Sequence, residues 1–129
     1  CEQIIAGDPT GLETTRSGLL NDVYREMTIH RLHPVVIVDY VREAYLHPAE
    51  EVRITFDKQL SACFNTMDMF APEAQYTPVL GGDIILEVKF DSYIPESIQA
   101  ALQGLNAPQQ SVSKYMICTD RMLEVLTHG

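Results

Sequence analysis

The sequence predicts an α+β fold: an antiparallel sheet with a helix before it and helices after it. Three observations carry this reading. Ile84, Leu86, Val88 and Phe90 alternate with Ile85, Glu87, Lys89 and Asp91, the period of a strand with one buried face. Two earlier segments repeat the design. Tyr40 and Arg42 share a face in one, and Arg53, Thr55 and Asp57 oppose Val52, Ile54 and Phe56 in the other. On either side of these strands, apolar residues recur at helical spacing. An antiparallel sheet with one solvated face would produce the same alternation. The residue types go further, because Arg with Tyr, Arg with Thr and Glu with Lys suit a groove built to hold an anion and a metal.

Each element follows from local signals. Residues 1–11 contain Gly7, Asp8, Pro9 and Gly11 and read as loop. A helix is predicted from about Thr15 to Arg31, with Leu19, Leu20, Val23, Tyr24 and Met27 on one stripe. Pro34 closes it and opens a first strand over 35–46. Leu46 to Glu50 turns the chain into a second strand over 51–57, and 60–64 is predicted as a short third. Two prolines and Gly81-Gly82 make Asn65 to Asp83 the longest loop, a length more often functional or mobile than inert. After the 84–91 strand, Pro95 occupies the first turn of a helix carrying Ile98, Leu102 and Leu105, which Asn106-Ala107-Pro108 stops. Ser111–Cys118 and Thr119–Leu126 complete a helical tail, with Thr119 or Asp120 as a cap between them.

The chain has 129 residues and is 46% hydrophobic, enough for one domain spanning 1–129 with a core. A net charge of −9 and a pI near 4.7 exclude a general nucleic-acid binder, which carries a basic footprint. A polyanion ligand is compatible with this charge only if the few cations converge on one site. No apolar run reaches membrane-spanning length. Cys1, Cys63 and Cys118 are widely spaced and odd in number, which points to reduced thiols in a cytoplasmic compartment.

Four motifs now stand in a telling order: Tyr40-Val41-Arg42-Glu43-Ala44-Tyr45, Val52-Arg53-Ile54-Thr55-Phe56-Asp57, Leu86-Glu87-Val88-Lys89 and Ser113-Lys114-Tyr115. In that order they resemble the VTC (vacuolar transporter chaperone) domain, within the CYTH-like triphosphate tunnel metalloenzyme superfamily that includes polyphosphate polymerases. The resemblance spans about 34–118. It implies that the sheet forms half of a triphosphate-tunnel β-barrel and that 1–129 is the C-terminal part of such a domain. A half-barrel is expected either to self-associate through its open sheet edges or to have one edge covered by the 65–83 loop or a helix and, alone, to turn over ATP negligibly.

The resemblance also implies roles for individual residues. Arg42 and Arg53 would hold phosphate oxygens through paired guanidinium donors. Tyr40 would either bind phosphate, orient Arg42 or pack. Glu87 would bind Mn²⁺ or Mg²⁺. Lys89 would neutralise Glu87 or contact phosphate, and Ser113 and Lys114 would reach the end of the substrate chain. Gln110, Ser111 and Val112 are uncharged where the family often carries a further basic residue. The implied activity is metal-dependent phosphoryl transfer from ATP to inorganic polyphosphate. A non-catalytic polyanion-binding regulatory module and a triphosphate hydrolase remain the alternatives. Elsewhere, His30 and His33 are expected to be surface residues without an acidic partner, Glu43, Glu50 and Glu51 solvated charges, and Asp8–Gly11 a turn.

Overall fold

The computed structural model describes residues 6–12, 17–47 and 52–128. The chain divides into one unit of Cys1–Ile37 with Cys63–Tyr76 and another of Val38–Ala62 with Thr77–Gly129.

In the first unit, helix α1 runs Gly18–Ile29. Leu20, Val23, Tyr24 and Met27, spaced i, i+3, i+4 and i+7, form its sheltered stripe, with Met27 buried. Leu19 falls one position outside that stripe and is 74% exposed, contrary to expectation. The chain leaves α1 through Arg31, whose φ of 55° lies in the left-handed region, and Leu32 N–H bonds back to Glu26 O at 3.2 Å. Asp8–Gly11 is a turn: Thr10 N–H donates to Asp8 Oδ1 at 3.0 Å and Leu12 N–H to Pro9 O at 2.9 Å. Asn65 organises the 63–76 segment. Its Nδ2 donates to Glu73 O at 2.8 Å, while its Oδ1 accepts from Gln75 N–H at 3.0 Å and from the Cys63 thiol at 3.1 Å.

The second unit holds the sheet. Strands β1 (Ile37–His47), β2 (Val52–Cys63), β3 (Thr77–Pro78) and β4 (Ile85–Lys89) are arranged with β2 in the middle. On one side β2 bonds β1. On the other it pairs antiparallel with β4 along Arg53–Asp57 and with β3 at Ser61 and Ala62. Helices α2 (Glu96–Gln103) and α3 (Lys114–His128) follow. The α+β class, with an open antiparallel sheet, is as read from sequence.

Several elements differ from expectation, each for a physical reason. The segments 51–57 and 60–64 are one strand, not two. Gln59 has φ 54°, an uncommon conformation for a residue with a Cβ, and it acts as a bulge that keeps the strand running while shifting its alternation by one. Asp57 is therefore buried on one side of the bulge, and Leu60 and Ala62 on the other. The long 65–83 loop contains the two-residue β3, and Thr77-Pro78 tolerates a proline because so short a strand needs few donors. The tail is one helix beginning at Lys114. Thr119 is no cap between two helices, since its hydroxyl donates to Tyr115 O and Met116 O, both at 3.0 Å, within the helix. Helix α2 ends at Gln103, earlier than Asn106, which leaves Leu105 outside it and exposed. Part of the Leu46–Glu50 turn, and Glu50 and Glu51, lie outside the described residues.

The largest departure concerns which face of the sheet is buried. Ile84 and Phe90 are 52% and 46% exposed, and Leu86 and Val88 are only half-buried. On the opposite face Thr55 is 3% and Asp57 0% exposed. The polar face is thus covered at Thr55 and Asp57, while Arg42, Arg53 and Lys89 on it remain exposed. On the apolar face, Tyr45 and Phe56 meet edge to face at 5.9 Å, flanked by the Glu43–Lys58 ion pair at 2.7 Å, so Glu43 is paired rather than merely solvated.

The outer edges of β1 and β4 pair with no further strand among the described residues, and Val41, Tyr45 and Leu46 on β1 are exposed. Unpaired edges recruit partners. The apparent mass of the protein is thus expected to rise with concentration in light scattering. A constant monomer mass across the range would mean that these edges are protected.

Candidate functional site

The β2–β4 register fixes a cationic face. Arg53 stands opposite Lys89, Thr55 opposite Glu87 and Asp57 opposite Ile85, and directly opposed residues project to the same side. From β1, Arg42 reaches the same face. Its Nε donates to Asp57 Oδ1 at 2.6 Å and its Nη2 to Asp57 Oδ2 at 2.7 Å. The first residue of α3 arrives there too, with Lys114 Nζ 2.5 Å from Asp57 Oδ2. Arg42, Arg53, Glu87 and Lys89 therefore share a face, as the alternation of the strands predicts, and Lys114 joins them from α3.

Asp57 is the hub, and sequence reasoning did not give it a role. It carries a bidentate guanidinium and an ammonium on one fully buried carboxylate. The Arg42 hydrogen bond, outweighing the opposing effect of burial and helped by Lys114, holds its pKa down at about 2. The same bond raises the Arg42 pKa further above its already high ordinary value. The available signal was an acid in phase with Arg53 and Thr55, on a strand face that otherwise carries a cation and a hydroxyl. Read from one strand it looks like another solvated charge, and only the neighbouring β1 and α3 reveal its partners.

Tyr40 serves the two cations. Arg42 Cζ lies 5.2 Å and Lys114 Nζ 5.1 Å from its ring centroid, so the π-face helps hold both charges beside Asp57. Of the three roles open to Tyr40, orienting Arg42 is the one that this contact supports. Ser113 caps α3: its Oγ accepts from Met116 N–H at 3.3 Å, leaving the hydroxyl hydrogen available as a donor. Lys114 in the first helical turn faces the positive end of the helix dipole, an unfavourable placement that Asp57 offsets. The helix presents Lys114, Ile117, Cys118 and Met122 on its sheltered side, with Cys118 fully buried and its thiol pKa raised by burial.

Glu87 is half-exposed, with Oε1 3.3 Å from Lys89 Nζ and Oε2 3.8 Å from Arg42 Nη2. These are loose pairs compared with those at Asp57. Its oxygens suit a hard divalent ion, which commonly takes one or two carboxylates and completes its shell with water and substrate phosphate. Among the described residues no group of three or more His, Cys, Asp or Glu could hold a metal by itself. Away from this face, His30 and His33 are exposed as expected, although His30 does have an acidic neighbour: its Nδ1 is 2.6 Å from Glu26 Oε2. No helix among the described residues is long and apolar enough to cross a membrane.

The family model described as VTC domain matches residues 4–123. No curated protein and no solved structure matches the chain.

Proposed function

Since this chain belongs to the VTC domain family, we propose that its cationic face binds the phosphates of inorganic polyphosphate and of a nucleoside triphosphate such as ATP, as part of a metal-dependent phosphoryl-transferring site. The observation that carries the reading is Arg53 standing directly opposite Lys89. Like charges at opposed positions repel and destabilise a sheet. In a chain of net charge −9 with nine Lys and Arg in all, nothing obliges two of them to face each other. A bridging polyanion converts that repulsion into attraction at both. Arg42 and Lys114 add to the same face, so four of the nine cations gather where the family's phosphate ligands are expected.

The residues divide the work. Asp57 and Tyr40 fix Arg42 and Lys114. Two of Arg42's five N–H donors are spent on Asp57, and the rest remain for phosphate. Glu87 is the candidate holder of Mn²⁺ or Mg²⁺, which would neutralise charge on phosphate oxygens. Phosphoryl transfer asks the protein mainly for positioning and charge stabilisation, and these side chains provide both. The domain assignment, 1–129 as the C-terminal part of a tunnel domain, belongs to the same proposal. The free, buried thiols of Cys63 and of Cys118 support a reducing, cytoplasmic compartment.

The direct test is calorimetric titration with inorganic tripolyphosphate, with and without Mn²⁺. Saturable binding that weakens with salt is expected, because half-exposed ion contacts are screened. Glu87→Gln should abolish the enhancement by Mn²⁺ while leaving metal-free binding intact or stronger, since a carboxylate that repels the ligand is gone. Absence of saturable tripolyphosphate binding in the wild-type protein would sink the reading.

A further inference from the structure

Thr55 is the one position on this face where the packing and the chemistry disagree. It is 3% exposed, and its Oγ1 has no hydrogen-bond partner among the described residues. A buried hydroxyl without a partner lowers stability, because it has given up water for nothing. Valine has the same shape, lacks the polar atom and is at least as favourable in a strand. Neither the strand nor its packing calls for threonine here.

The position of the hydroxyl suggests what does. Thr55 lies between Arg53 and Asp57 on β2 and directly opposite Glu87 on β4, so it sits in the floor of the cationic face with charged groups around it. We infer that the Thr55 hydroxyl is a further ligand-binding group of this site, donating a hydrogen bond to a phosphate oxygen of the bound polyanion. The inference rests on the phosphate-binding reading above. It goes beyond that reading by adding a neutral donor, on a residue that charge and exposure would both pass over.

Glu87 explains how a ligand reaches a buried hydroxyl. Its side chain is 37% exposed, and it is held only by the loose contacts to Lys89 and Arg42. In the absence of a metal ion, an incoming polyanion competes for both cations and repels the carboxylate, which moves Glu87 from its place across from Thr55. The tightly held Asp57 stays. In the unliganded protein the hydroxyl is thus kept from solvent, and its hydrogen bond is gained only on binding.

Thr55→Val and Thr55→Ser, compared with wild type, test this by two independent readouts: thermal unfolding without ligand, and calorimetric titration with inorganic tripolyphosphate at fixed ionic strength. Thr55→Val is expected to unfold at the wild-type temperature or a few degrees above it, roughly 3 °C, yet to bind tripolyphosphate about tenfold more weakly. Thr55→Ser, which keeps the hydroxyl, should bind within about twofold of wild type. Wild-type affinity in Thr55→Val overturns the inference while leaving the phosphate-binding reading intact. A lower unfolding temperature in Thr55→Val, or failure to fold, shows that the hydroxyl is structural and also overturns it. No binding by the wild-type protein removes the functional reading first and this inference with it.

Discussion

Asp57→Asn is expected to destabilise the protein by up to about 2 kcal/mol at pH 7, with the penalty fading as the solution is acidified. The carboxyl pKa is about 2 in the folded protein against an ordinary 3.8, with the Arg42 hydrogen bond as the largest cause. A depressed folded pKa means that the native state binds its proton less readily than the unfolded chain does. The stabilisation is therefore complete above the ordinary pKa and is lost as the pH falls from about 4 through about 2. The figure is a ceiling. The carboxylate is fully buried, but the side chains of Arg42 and Lys114 keep 31% and 21% of their exposure, and solvent screens their share of the attraction. Urea unfolding of wild type and Asp57→Asn at pH 7 and at the lowest pH where both remain folded measures the difference directly. A second consequence is local. Without the full negative charge, Lys114 is left against the positive end of the α3 dipole, so amide exchange in the first turn of α3 should accelerate more than in β2. Equal stability at pH 7 would remove Asp57 from its place as the hub.

The contrast between the two faces of the sheet shows how much the sequence could tell. Alternation in Tyr40/Arg42, Arg53/Thr55/Asp57 and Glu87/Lys89 placed the polar side chains on one face, because period and register are local properties that survive any tertiary context. The same alternation misassigned burial. Ile84 and Phe90 were expected to be covered and are exposed, whereas Thr55 and Asp57 are covered. What covers a face depends on elements remote in sequence. Here α3 delivers Lys114 from 57 residues beyond Asp57, and no window along the chain contains both. The bulge at Gln59 was hidden for a related reason. Lys58-Gln59 reads as a break in hydrophobicity, and sequence alone does not separate a strand that ends from one that shifts phase and continues. The helices were legible to within a few residues because their caps and stripes are local. The break proposed at Thr119 failed because threonine within a helix can satisfy its hydroxyl on the preceding turn as readily as it can cap. The residues of the cationic face were legible as a set, from strand alternation and motif order, while the carboxylate organising them needed the third dimension.

The arginines are expected to separate into two behaviours that a simple charge count would not anticipate. Arg53 is exposed and opposed by Lys89, so its removal relieves repulsion in the free protein while deleting a proposed phosphate contact. Arg53→Ala should therefore weaken tripolyphosphate binding about tenfold with stability unchanged or slightly raised. Arg42 is committed to Asp57 through two hydrogen bonds. Arg42→Ala removes the principal partner of a buried carboxylate, so it should lower both stability and affinity, and its stability loss should shrink at low pH as Asp57 becomes protonated in the mutant. Arg42→Lys restores the charge but not the paired donors, and should recover only part of either property. The double replacement Arg42→Ala, Arg53→Ala should reduce affinity by about a hundredfold or more, leaving residual binding with a shallower dependence on salt. Each titration needs the folded fraction measured alongside it, because Arg42→Ala can lose binding merely by unfolding. Arg53→Ala cannot be excused in that way. If Arg53→Ala and the double variant, both demonstrably folded, bind tripolyphosphate as wild type does, then the cationic face is a surface feature of the sheet and the phosphate site lies elsewhere.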